Sequence, residues 1–152
     1  MKTTIKLVVM AALCLNFCYG QDKTSKSYIY ALTGFKYGYK TGYRFNDDEF
    51  KRGRAITVRN YTMPQLFALA LRLEHPAGAS QKQIDRDQII IDVLQPEKLI
   101  KKYCYKLVVP YNHQDSFYEL MQRSLNEEFP EYLIKVEKRD KEYVMIIRDR
   151  PY

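Results

Sequence analysis

Between residues 53 and 73 the pattern of apolar positions changes period without an intervening loop. Ile56, Val58 and Asn60 alternate with Thr57, Arg59 and Tyr61, the signature of a half-buried strand with Asn60 on the same face as Ile56. Thr62 and Gln65 then form a T-x-x-Q capping box, and Pro64 falls in the first turn, where a missing N–H is tolerated. Met63, Leu66, Phe67, Ala70 and Leu71 recur at helical spacing and predict a helix packed on a sheet.

The same order returns later. Residues 88–94 (QIIIDVL) are β-branched and predict a strand, 96–102 a single helical turn, and 103–109 (YCYKLVV) another strand. Ser116 and Glu119 form an S-x-x-E capping box before a stripe of Phe117, Leu120, Met121 and Leu125, closed by Pro130. Residues 132–136 and 143–147 alternate and predict a hairpin, followed by a polar tail over 148–152. Two strand–helix–strand units plus a C-terminal hairpin predict an α+β fold: a two-layer sandwich with a mostly antiparallel sheet and two amphipathic helices on one face. Both units are expected on one sheet.

The front of the chain carries different information. Lys2 and Lys6 precede an apolar run over 7–17, and small residues flank a cleavage point after Gly20, the layout of a secretory signal. The run is shorter than the ~20 apolar residues that span a bilayer. Neither Cys14 nor Cys18 follows a small residue, which argues against lipidation. The expectation is a signal peptide over 1–20, a lead-in over 21–52 and an α+β core over 53–152. The mature chain, 21–152, is one exported domain, periplasmic or secreted, with no transmembrane segment after cleavage. Removing the two lysines lowers the formal charge from +7 to +5. Cys104 would then be the single cysteine. Its place in an alternating run points to a buried structural thiol, with an intermolecular disulfide as the alternative.

Candidate chemistry is sparse. The 14 tyrosines of the chain, set against no tryptophan, concentrate in part over 27–45, where aromatic and basic residues interleave with glycines. Lys36, Tyr37, Tyr39, Lys40, Tyr43 and Arg44 are the candidate binding surface: cations for an anionic polymer and rings for stacking on sugars. Ordinary strand chemistry explains the same residues. Asp47, Asp48 and Glu49 lack calcium-loop spacing and read as a solvated turn. Asn60-Tyr61-Thr62 matches a glycosylation sequon but sits at a helix cap and reads as structure. His75 falls at a helix end and His113 in a loop, neither beside a nucleophile motif such as G-x-S-x-G. No catalytic, cofactor-binding or metal-ligating residue is assigned, and no cofactor is expected.

Taken with residues 120–147, the segments GRAITVRNYTMPQLFALAL and IIIDVLQP resemble one bacterial family of exported domains of unknown function, the "soil-associated protein" family. The matching positions are Asn60, Thr62 and Met63, then Asp92 and Pro96, then Leu125, Phe129, Glu137, Lys138 and Tyr143, covering roughly 43–147. The tryptophan that the family often carries before its central strand is missing here. The resemblance implies a fold and an envelope setting but no reaction. A weaker likeness, of strand–helix order alone, is to small signalling domains at the front of secretins and TonB-dependent receptors, which bind other proteins. The reading is a non-enzymatic interaction domain of the cell envelope with an envelope protein as partner. A module for an anionic glycan is the alternative and an enzyme the third reading. Nucleic acid is not expected as a partner.

Overall fold

The computed structural model describes residues 28–48, 53–73, 88–139 and 142–151. The elements are β1 (Ile29–Gly34), β2 (Gly42–Asp48), β3 (Gly53–Thr62), α1 (Met63–Ala70) and β4 (Ile89–Asp92). A 3-10 turn (Pro96–Ile100), β5 (Lys102–Val109) and a second 3-10 turn (Tyr111–Ser116) follow, then α2 (Phe117–Glu128), β6 (Tyr132–Arg139) and β7 (Glu142–Asp149). The expected signal sequence over 1–20, Glu49 and His75 lie outside the described residues.

The fold is an α+β sandwich, but its strands divide between two sheets rather than one. The larger sheet has the order β1-β5-β3-β2 and is antiparallel throughout; the smaller has the order β4-β7-β6, with β4 parallel to β7. The stretch expected as a lead-in therefore supplies both edge strands of the larger sheet. Residues 35–41 must cross from one edge of that sheet to the other, about 14 Å at ~4.8 Å per strand.

Both helices contribute to one core with the inner face of the larger sheet. Helix α1 is nearly apolar all round, and every residue but Gln65 is buried. A helix with no polar face is stable only inside a protein. Gln65 accepts a hydrogen bond from the Thr62 N–H (2.9 Å), which closes the expected cap. Helix α2 buries Phe117, Leu120, Met121, Ser124 and Leu125 and leaves its acids and Arg123 in solvent. Fully burying each such Leu, Met or Phe contributes about 1.5–3 kcal/mol. Phe45 meets Phe117, Phe67 and Tyr103 meet Phe129, and Met145 and Ile147 of β7 complete the cluster. Gly53 is required where it stands. At φ 89° a Cβ would lie 1.9 Å from the Val109 carbonyl oxygen, inside the backbone of the neighbouring strand.

Two local expectations give way. Ser116 makes no capping hydrogen bond, because the 3-10 turn runs straight into α2 and delivers Ser116 already turned; Glu119 instead pairs with Arg123 at 3.6 Å. The polar tail is held on the sheet. Arg148 and Asp149 belong to β7, Arg148 pairs with Asp92 (3.0 Å), Asp149 accepts from the Leu94 N–H (2.7 Å), and the Arg150 N–H reaches Glu131.

Candidate functional site

Most of the candidate residues lie on the outer face of the larger sheet or on the segment crossing its end, and a fault in β3 organises this region. Val58 faces Tyr105 and Tyr61 faces Tyr103, so three steps on β3 match two on β5, a β-bulge. The bulge absorbs Arg59 and Asn60, and Asn60 takes φ 55°, a conformation Asn tolerates better than most residues. Asn60 therefore leaves the inner face expected from its alternation with Ile56 and Val58, and Tyr61 takes the inner place.

Asn60 is 1% exposed and its amide is fully used. Its Oδ1 accepts from the Lys36 N–H at 2.9 Å and from the Cys104 thiol at 3.4 Å. Its Nδ2 donates to the carbonyls of Lys36 (2.9 Å) and Tyr39 (2.8 Å). One side chain thus ties down the segment crossing the end of the sheet. Gly38, at φ 80°, makes the turn at its tip. The burial and bonding explain Asn60 as a structural residue of the sequon. Cys104 is buried, as its alternation implies.

The six candidate residues do not stay together. Tyr37 projects from the turn, 93% exposed, with Lys36 and Lys40 also in solvent. Tyr39 lies against the Arg59 guanidinium, 4.6 Å from ring centroid to Cζ. Arg44 is exposed on the outer face, opposite Thr57. Tyr43 turns the other way, packing edge-on against Phe45 and Tyr61 in the core. Register shows why: β2 alternates, so Tyr43 and Phe45 share one side and Arg44 the other.

What the sequence did not single out is the centre of this face. Ala31, Lys106, Thr57 and Arg44 form one row across all four strands. Beside that row lies a cavity of about 250 Å³, lined by Thr33, Lys36, Tyr39, Arg59, Cys104 and Lys106 among others, with no acidic residue in its wall among the described residues. Arg59 and Lys106 each looked unremarkable in a strand, Asn60 was singled out for other reasons, and only cross-strand register assembles them. A larger cavity of about 570 Å³ lies at the end of the smaller sheet, lined by Lys98, Glu131, Tyr132, Asp149 and Arg150 among others. Burial pushes the pKa of Tyr132 above the ordinary tyrosine value, and the carboxylates of Glu131 and Asp149 add to that. His113 sits in the second 3-10 turn. Among the described residues no three His, Cys, Asp or Glu side chains gather as a metal site, and no helix is long and apolar enough to cross a membrane.

The two edges of the larger sheet differ. Strand β2 carries Arg44 and two aspartates, whereas β1, IYALTG, has neither charge nor proline. Among the described residues β1 pairs on one side only, with β5. Ile29 is 74% exposed on it. Comparison with known proteins places no neighbour beside this chain: no family model, curated protein or solved structure matches it.

Proposed function

We propose that this is an exported, non-enzymatic interaction domain of the bacterial cell envelope, which captures an extended segment of a partner protein by strand addition along β1. The observation that carries the reading is the edge itself. Exposed edge strands invite pairing, and proteins that must avoid it place lysine, proline or a bulge there. Six residues of β1 have none of these, while β2 carries charges and β3 keeps its bulge inside the sheet. Backbone pairing supplies affinity in such complexes and alternate side chains supply selectivity. The signal-like front of the sequence and the resemblance to an exported family support the envelope setting.

The test is to capture partners from envelope extract with the protein as bait and follow amide exchange in the recovered complex. Slowed exchange at residues 29–34 is the expected result. A complex that leaves β1 amides unprotected sinks the reading. The basic outer face favours an anionic glycan as the second reading. It predicts recovery of polymer lost on changing Tyr37 and Tyr39 to Ala.

A further inference from the structure

We infer that the basic cavity on the outer face selects the partner strand, requiring a carboxylate side chain, Asp or Glu, on the face that flanks Ala31 and Thr33. This rests on strand addition at β1 and names the chemistry of the segment that docks there.

The argument is one of register. A strand added to β1 places every second side chain on the outer face, beside Ile29, Ala31 and Thr33. Directly behind Ala31 stands Lys106, and behind Thr33 stands Cys104. Ala31 is short, so nothing on β1 screens Lys106 from the added strand. The two backbones would lie about 9.6 Å apart, two strand spacings, a gap that a lysine and a glutamate side chain bridge together. Lys36 and Arg59 close the far side of the same cavity, and the Thr33 hydroxyl stands at its near wall.

The cavity is built rather than incidental. Asn60 holds the backbone at Lys36 and Tyr39, and Tyr39 in turn lies on the Arg59 guanidinium. Three exposed cations therefore line a wall that holds no carboxylate among the described residues, so an acidic side chain seated there meets charge of one sign only. The inner side of β1 has the opposite character. There Tyr30 donates a hydrogen bond to the Glu127 carboxylate at 2.9 Å, and Tyr30 stacks on Tyr28 and Tyr105. The fitting partner thus carries its acids outward.

The experiment uses the full chain and synthetic eight-residue strands in which Glu, Gln or Lys alternates with Val and Thr. The Glu peptide is expected to bind about fivefold more tightly than the Gln peptide and to lose that margin at high salt. Lys106→Glu, an exposed position, is expected to erase the margin of the Glu peptide over the Gln peptide. Equal binding of all three peptides overturns the inference while leaving strand addition standing. Absence of binding by any peptide, with β1 amides unprotected, overturns both. N-methylation of alternate backbone amides on the Glu peptide is expected to abolish binding. Unchanged binding of the methylated peptide overturns docking by strand pairing.

Discussion

Leu107 and Lys106 are adjacent on β5 and belong to different worlds. Leu107 is wholly buried among Ile56, Tyr105 and the helices; Lys106 lies in the exposed row with Ala31, Thr57 and Arg44. The inner face of this sheet is closed by rings and aliphatic chains, its polar groups including the Tyr105–Ser124 hydroxyl pair and the Arg54 guanidinium laid over Phe45 and Phe117. The outer face has short side chains, cations and one clamped crossing segment. A single sheet therefore separates two characters residue by residue, with the packed core inward and, on the binding proposed above, selectivity outward.

The sharpest way to break that comparison is at its centre. Leu107→Ala is expected to lower unfolding free energy by about 2–5 kcal/mol in urea denaturation, the range for cavities in packed cores. A loss under about 1 kcal/mol would mean the inner face is not the core. Next comes Asn60→Ala, expected at about 1–3 kcal/mol because buried backbone groups at Lys36 and Tyr39 lose their partner. Amide exchange at residues 36–40 should rise with it, and unchanged exchange there would remove Asn60 as the clamp.

How far these faces were legible follows from the same residues. Helix α1 was plain, because T-x-x-Q, Pro64 and the apolar run all state one conformation locally. Strand β5 was plain for the same reason. Period two assigns a residue to a face but does not name its neighbour, so neither the split into two sheets nor the Lys106–Thr57–Arg44 row was visible. Asn60 was misplaced because a bulge shifts the phase by one residue and leaves no mark in composition. Tyr43 resembled Tyr37 and Tyr39 in spacing and company, and only its register with Val58 shows that it faces inward.

Smaller effects sharpen the contrast. Burial pushes the Tyr105 pKa well above the ordinary value of 10.0, despite the 2.6 Å hydrogen bond with Ser124. The folded state thus disfavours the phenolate, so this contribution is complete below pH 10 and is lost as pH rises toward the folded-state value. Tyr105→Phe is expected to cost about 1 kcal/mol at pH 7 and to flatten the fall in stability above pH 10, read from urea midpoints against pH. An unchanged alkaline slope would show that other tyrosines govern it. Least of all, Lys106→Ala should alter stability by no more than about 0.5 kcal/mol. A larger loss would mean that the outer face shares the work of the core.

The strand order also sets a sequence of assembly in time. Strands β2 and β3 are neighbours along the chain, whereas Thr33 of β1 meets Cys104 of β5 across 71 residues. Contacts so far apart form late, since loop closure precedes any gain from pairing. The β2–β3 hairpin forms first, β5 joins it, and β1 arrives last, so pulse-labelled amides on β1 should be the final ones protected. The first of the described strands along the chain is the last to find its sheet.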